Sequence, residues 1–193
     1  MRHYRRFLLL LAMLKAVTFA NAQIIVEASE TVELMAILSR TAGFREYCMD
    51  MGGQYTKDTE AWFAPSKQHP AVAYMKDIRS KYNIGYDAVM TMAINLETDG
   101  KKITMAGEKH NLGNRWQNIE IDTFLVHLNQ FYADTRFHSF FMQHQSFYES
   151  VLRTYEQNVM QYFYQDWYPR FYGTEPTERF RIVIGFTNGG GNY

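Results

Sequence analysis

The side chains most able to hold a metal ion in this sequence are its histidines, and their spacing does not suit a metal-binding helix. Two imidazoles on one helix reach the same ion when they lie four residues apart. Beyond the first few residues the histidines are His69, His110, His127, His138 and His144. No two of these have that spacing, and the chain contains no His-Glu-x-x-His motif. We therefore assign no metal ligands and expect each histidine to lie at the surface or to cap a helix.

Residues for nucleophilic or acid–base catalysis are equally hard to identify. The sequence has no Gly-x-Ser-x-Gly motif, and its one cysteine, Cys48, lies in a Tyr-Cys-Met-Asp context without a catalytic signature. We expect Cys48 to be a small buried apolar residue. The carboxylate pairs Glu97 with Asp99 and Glu120 with Asp122 fall in a turn and at a helix start, where a solvated surface is their expected role. We assign no catalytic residues.

The last residues of the sequence form a glycine-rich segment that follows an apolar, β-branched stretch. They contain no phosphate-loop pattern, but three adjacent glycines allow another backbone to approach closely. A strand that ends in such a loop could present an edge to which an extended peptide adds. The candidate substrate-binding residues are therefore Asn188, Gly189, Gly190, Gly191, Asn192 and Tyr193.

A dense group of aromatic residues lies between Phe137 and Tyr172. Such rings could stack on a sugar or line a groove for a peptide. They are also the side chains that fill cores and interfaces. The sequence leaves both interpretations open.

Composition restricts the class of protein more than it restricts the activity. The length of 193 residues suits one domain, and an apolar fraction of 47% with 16% aromatic residues favours an ordered fold. Basic and acidic residues number 20 each, which argues against a nucleic-acid-binding protein. A single cysteine excludes a disulfide framework and a cysteine-rich zinc site.

The first 22 residues have the pattern of a secretory signal peptide. A basic start that ends at Arg6 precedes the apolar stretch Phe7–Leu14, and Ala20-Asn21-Ala22 is a typical cleavage sequence. We expect cleavage before Gln23, export to the periplasm or the extracellular space, and no membrane span in the mature chain. Loss of four basic residues with the signal leaves a net charge near −4, which gives no attraction to nucleic acid or anionic lipid.

The remaining residues, 23–193, are predicted to form a single domain that is mainly helical. Apolar spacing predicts helices over 31–42, 55–64, 70–82, 86–96, 121–132 and 146–167. A brief strand is predicted at 103–105 and a clear one at 179–186, so the small β contribution lies mostly at the C-terminal end. A buried strand needs a partner, and the candidates are 23–26 and 103–105. The sequence reads as though more protein were to follow the glycines.

Four segments resemble the bacterial domain-of-unknown-function 4932 family. They are VELMAILSR at 32–40, YDAVM at 86–90, DWYPRFYG at 166–173 and IGFTNGGGNY at 184–193. Members of that family are exported and longer, and beyond the glycine-rich segment they look like zinc-dependent peptidases with a His-Glu-x-x-His helix. The resemblance implies that this chain is the N-terminal helical part of a zincin-like α+β protein, truncated before the zinc helix.

The same resemblance implies a role for the C-terminal strand. The strand would belong to a small zincin-type sheet, and its edge and the loop at 189–193 would border a substrate cleft. The cofactor of the family would be zinc, bound by the missing half and not by this chain. We expect an exported protein that is catalytically inactive alone, with a peptide substrate or a complementing C-terminal half as its partner. The alternative is a standalone exported helical module that binds peptide or glycan.

Overall fold

The computed structural model describes residues 24–49, 53–164, 167–174 and 179–188, and it confirms a mainly helical fold with small strands. The predicted signal peptide and Gly189–Tyr193 lie outside the described residues. The helices are α1 (Glu30–Thr41), α2 (Gln54–Phe63), α3 (Pro70–Tyr82), α4 (Asp87–Ile94), α5 (Ile121–Asp134), α6 (Phe137–Gln143), α7 (Gln145–Asn158) and α8 (Trp167–Tyr172). The strands are β1 (Ile24–Glu27), β2 (Leu96–Thr98), β3 (Ile103–Met105) and β4 (Phe180–Val183). Among these described residues no helix is long and apolar enough to cross a bilayer.

Helix α1 lies at the centre of the fold. Ser29 caps it, because the Ser29 side chain accepts a hydrogen bond from the Val32 N–H. Gly43, just after its end, has a φ of +80°, a conformation that glycine adopts without strain. Every residue from Thr31 to Ser39 is buried, and α1 packs against α3 and α4. A helix that is buried on all sides must satisfy any polar side chain it carries through other elements.

Local signals predicted several helix boundaries closely. Helix α3 spans the predicted 70–82: Pro70 occupies its first turn, and Asn83 ends it in the left-handed conformation with a φ of 56°. Helix α2 ends at Phe63 as expected near Pro65, although the backbone continues as a 3₁₀ turn through Ala64–Gln68.

The prediction of one long helix over 146–167 is wrong. Helix α7 ends at Asn158, a 3₁₀ turn follows at Met160–Tyr162, and α8 is a separate short helix. The apolar residues beyond Asn158 keep the helical spacing that misled the prediction, but most of them lie exposed and outside the core. Helix α6 was not predicted, because it follows α5 after two residues and its three buried phenylalanines merge with the pattern of the neighbouring helices.

Two small sheets complete the fold. Strand β4 pairs with β1 in parallel, with Ile24 opposite Phe180 and Glu27 opposite Val183. Of the two predicted partners for this strand, 23–26 and 103–105, the structure therefore shows the first. Strands β2 and β3 form an antiparallel hairpin, and the Asp99 carboxylate accepts the N–H groups of two residues in its turn.

Candidate functional site

A fully buried carboxylate on α1 connects the helical core to the segment after β4. The side chain of Glu33 accepts a hydrogen bond from the Phe186 N–H at 2.7 Å. It also accepts one from the Thr187 hydroxyl at 3.1 Å and one from the Tyr55 hydroxyl at 2.8 Å. Three donors offset much of the cost of removing a carboxylate from water. The C-terminal segment is therefore attached to α1 by specific polar contacts.

A second tyrosine extends this network. The hydroxyl oxygens of Tyr55 and Tyr148 lie 2.8 Å apart. Because Tyr55 gives its one proton to Glu33, Tyr148 must be the donor in this pair. We call Glu33, Tyr55, Tyr148, Phe186 and Thr187 the Glu33 anchor.

Aromatic packing holds the same segment in place. The ring of Phe186 lies 4.7 Å from that of Tyr148 and 5.4 Å from that of Phe147, measured between centroids. Phe147 in turn stacks on Tyr55 at 4.9 Å. Such ring pairs add stabilisation to the apolar area they bury. Phe186 is thus fixed both by the hydrogen bond from its backbone N–H and by the packing of its ring.

Burial sets the protonation of the anchor. Desolvation raises the pKa of Glu33 above its ordinary value, although the hydrogen bonds from Phe186, Tyr55 and Thr187 lower it in part. Desolvation and the neighbouring Glu33 carboxylate raise the pKa of Tyr55 and that of Tyr148 far above the usual range. Both hydroxyls therefore stay protonated at any physiological pH and remain hydrogen-bond donors.

Of the six predicted substrate-binding residues, the structure describes Asn188. It lies directly after the Glu33 anchor and folds back over Gly185: a Cβ at that glycine would lie 2.6 Å from the Asn188 Nδ2 atom. The absence of a side chain at position 185 is what allows this tight turn. The other five, Gly189–Tyr193, lie outside the described residues.

The outer edge of β4 is the second feature of the site. The Ile184 N–H donates to the Glu27 carbonyl at 2.9 Å, so this peptide group faces β1. Because the direction of backbone groups alternates along a strand, the N–H and C=O groups of Arg181 and Val183 face away from β1. Among the described residues no other strand pairs with this edge. It presents a row of backbone donors and acceptors.

Sequence reasoning missed Glu33 as a functional candidate. An acid in the first turn of a helix is normally explained by the helix dipole, and that explanation needs no buried partner. The partners that reveal its role, Tyr55 and Phe186, are 22 and 153 positions away along the chain. The one available signal was a charged residue directly beside the apolar run Leu34–Leu38.

The histidines and Cys48 differ from the sequence expectations in part. His69 caps α3 as predicted, with Nδ1 accepting the Ala71 N–H. The half-buried His138 and His144 pair instead with carboxylates, those of Glu30 and Asp58. Cys48 is exposed and not buried as predicted, because it follows the turn after α1, where its thiol donates to the Arg40 carbonyl at 3.4 Å.

The described part of the chain does not offer a zinc site. Structural and catalytic zinc ions need three or four close ligands from histidine, cysteine or acidic residues. No group of three such residues lies together among the described residues. The zinc that the family resemblance implies does not fit these side chains, and we derive no chemistry from it.

The structure divides the aromatic stretch into two parts. Residues up to Tyr148 fill the core, with Phe137, Phe140 and Tyr148 nearly inaccessible to solvent. Beyond α7 most of the rings are exposed, and Trp167 stacks on Phe171 with a centroid distance of 4.7 Å. The core interpretation is therefore confirmed for the first segment, and the binding interpretation stays a prediction for the second.

Comparison with known protein families gives one match. The model of the family described as Domain of unknown function (DUF4932) matches residues 23–192. The chain belongs to the DUF4932 family. The DUF4932 match includes both strands of the β1–β4 sheet and the whole Glu33 anchor. No curated protein and no solved structure matches this chain.

Proposed function

We propose that this DUF4932 protein is an exported, metallopeptidase-like protein that holds an extended peptide along the outer edge of β4. The observation that carries the proposal is the Glu33 anchor, which fixes the chain immediately after β4. A preorganised edge loses less conformational entropy when a peptide adds to it than a mobile one would. Asn188 and the glycines that follow would border the bound peptide.

Export and the relation to zinc peptidases are further parts of this proposal. Export is supported by the signal-peptide pattern in residues 1–22. The relation to zinc peptidases is supported by the resemblance of the segments at 166–173 and 184–193. Because the sequence contains no His-Glu-x-x-His motif, we propose that these residues bind peptide without cleaving it. Hydrolysis would need a complementing part that carries the zinc.

Removal of one outward-facing N–H group tests the peptide site. In Val183→Pro the lost N–H faces away from β1, so the pairing with β1 is kept, and proline is tolerated at such edge positions. Loss of one or two backbone hydrogen bonds should weaken the binding of fluorescein-labelled casein peptides about fivefold to tenfold, measured by fluorescence anisotropy.

The matched control is Val183→Thr, which keeps the N–H and the β-branched shape and should bind as the wild type does. Circular dichroism and thermal unfolding check that both variants fold. Equal affinity in the proline variant and the wild type, or no binding by the wild type, would overturn the proposal.

The exposed aromatic residues support a second candidate function, glycan binding. Trp167 and Phe171 stack on each other while 48% and 66% of their surfaces remain exposed. Exposed rings of this kind can stack on sugar faces. If this function is correct, Trp167→Ala should abolish the binding of soluble oligosaccharides such as chitohexaose in calorimetric titrations, while Val183→Pro leaves it intact. Peptide binding lost in Val183→Pro and kept in Trp167→Ala would favour the first proposal.

A further inference from the structure

A cavity of about 540 Å³ lies where the end of α1 meets α2, the 3₁₀ turn at Ala64–Gln68 and α3. No residue that lines it belongs to the Glu33 anchor or to β4. The side chains that could recognise a ligand there are Arg40, Cys48, Glu60, Phe63, Lys67 and Lys76. A cavity of this size suits a small molecule.

The charge of this cavity is positive. Three cationic side chains and one carboxylate line it, although the chain as a whole has equal numbers of basic and acidic residues. Lys67 and Lys76 are both exposed, and neither forms an ion pair with any residue in the described ranges. Two unpaired ammonium groups beside a guanidinium attract anions.

Arg40 is held in position before any ligand arrives. Its Nη1 donates to the carbonyls of Tyr47 at 2.8 Å and Met49 at 3.2 Å, and only 10% of its side chain is exposed. Its Nη2 donates to the Glu60 carboxylate at 2.5 Å. Because the Glu60 side chain is 62% exposed, it can leave Arg40 and return to water at little cost. Glu60 thus occupies the position on Arg40 that an external carboxylate or phosphate would take.

Apart from the exposed Gln68 amide, the rest of the wall is largely apolar or already hydrogen-bonded. The hydroxyls of Thr41 and Thr59 donate to carbonyls of their own helices, at 2.7 and 2.8 Å. Phe63, Ala42 and Ala64 add apolar surface. A neutral sugar would find few free partners here, whereas an anion with a short apolar body would match both the charge and the walls.

We propose that this cavity binds a small organic anion whose carboxylate or phosphate group replaces Glu60 on Arg40 and is held by Lys67 and Lys76. This proposal is independent of peptide binding at β4. The chain's single cysteine lies in the cavity wall and provides a reporter of occupancy.

The test is a calorimetric titration of the purified protein with phenyl phosphate and with phenylacetate, at constant ionic strength because salt screens these charges. Benzyl alcohol is the uncharged control ligand. The two anions carry the same ring, so their relative affinities show whether the site prefers phosphate or carboxylate. Saturation should also slow the alkylation of Cys48 by iodoacetamide, followed by mass spectrometry.

Variants identify the side chains responsible. The double variant Lys67→Ala/Lys76→Ala should bind about tenfold more weakly, since it removes two partly exposed ion pairs with the anion. Glu60→Gln, which removes the competing carboxylate, should bind more tightly. The matched control Lys57→Ala/Lys81→Ala removes two exposed lysines outside the cavity and should bind as the wild type does.

Three results would overturn the proposal. One is that neither anion binds better than benzyl alcohol. Another is that the control variant loses as much affinity as the cavity variant. The third is that Cys48 reacts at the same rate with and without a saturating anion.

Discussion

Replacing Glu33 by alanine is expected to release the segment after β4 from the helical core and to lower the free energy of unfolding by about 3 kcal/mol. The variant leaves the Phe186 N–H, the Thr187 hydroxyl and the Tyr55 hydroxyl without their acceptor. Urea unfolding would measure the stability, and amide hydrogen exchange at Phe186 would measure the release.

Two further variants separate the role of the charge from that of the hydrogen bonds. Glu33→Gln keeps one acceptor oxygen and should exchange at Phe186 more slowly than Glu33→Ala. Tyr148→Phe removes the outermost hydrogen bond of the anchor and should cost about 1 kcal/mol. If Phe186 were as well protected in Glu33→Ala as in the wild type, the segment would be held by ring packing alone, and the anchor would have no positioning role.

Glu33 also makes the free energy of unfolding depend on pH, and the direction of its pKa shift gives the sign of that dependence. Because the pKa of Glu33 is raised by burial, the folded protein holds this proton more tightly than the unfolded chain does. Its contribution to stability is fully present below the ordinary value of 4.5 and is lost as the pH rises through the raised pKa. Glu33→Gln should therefore gain stability relative to the wild type as the pH increases over that interval, measured by urea unfolding at a series of pH values.

The second large effect is expected from Arg79→Ala. Arg79 donates two hydrogen bonds to the buried Glu46, at 2.5 and 3.1 Å, and Glu46 also accepts the Tyr86 N–H. Without Arg79 the buried carboxylate loses its countercharge and two of its hydrogen bonds, and we expect a loss of about 3 kcal/mol in the free energy of unfolding. Urea unfolding of Arg79→Ala, Glu46→Gln and the double variant would give the coupling between the two side chains.

The pH dependence of this pair is opposite to that of Glu33. Burial acts to raise the pKa of Glu46, but the hydrogen bonds from Arg79 and the backbone outweigh it and lower the pKa. The stability it contributes is present above 4.5 and is lost as the pH falls through the lowered value. In Arg79→Ala this loss of stability at acidic pH should disappear. A coupling energy near zero in the double-variant cycle would contradict the assignment.

Features that depend on neighbouring residues could be predicted from the sequence, whereas features that depend on distant residues could not. Helix α3 was predicted with both its boundaries because Pro70 and Asn83 act on their own turns. The end of α7 at Asn158 was not predicted, because it depends on whether the apolar residues that follow find a core. Glu33 was missed for the same reason, since nothing within its own helix shows that Phe186 will reach it.

Only part of the candidate site could be predicted from the sequence. The strand at β4 was predicted from its β-branched composition, and the need to satisfy a buried backbone reduced its possible partners to two, one of which is the N-terminal strand. The cationic cavity did not, because Arg40, Lys67 and Lys76 come from three separate elements whose packing no local pattern reveals. Residue spacing reveals ligands that share one helix, but it does not reveal ligands that tertiary structure brings together.

The pairing of β1 with β4 also determines when this fold can be completed. The two strands join residues that are 156 positions apart, as between Glu27 and Val183. During synthesis β1 emerges long before β4, so its described partner is absent until most of the residues between the two strands have been made. Closing so long a loop is slow, so refolding should show a late phase after the helices have formed. Until then we expect Ile24–Glu27, which is mostly apolar, to be an unpaired segment that is prone to aggregation.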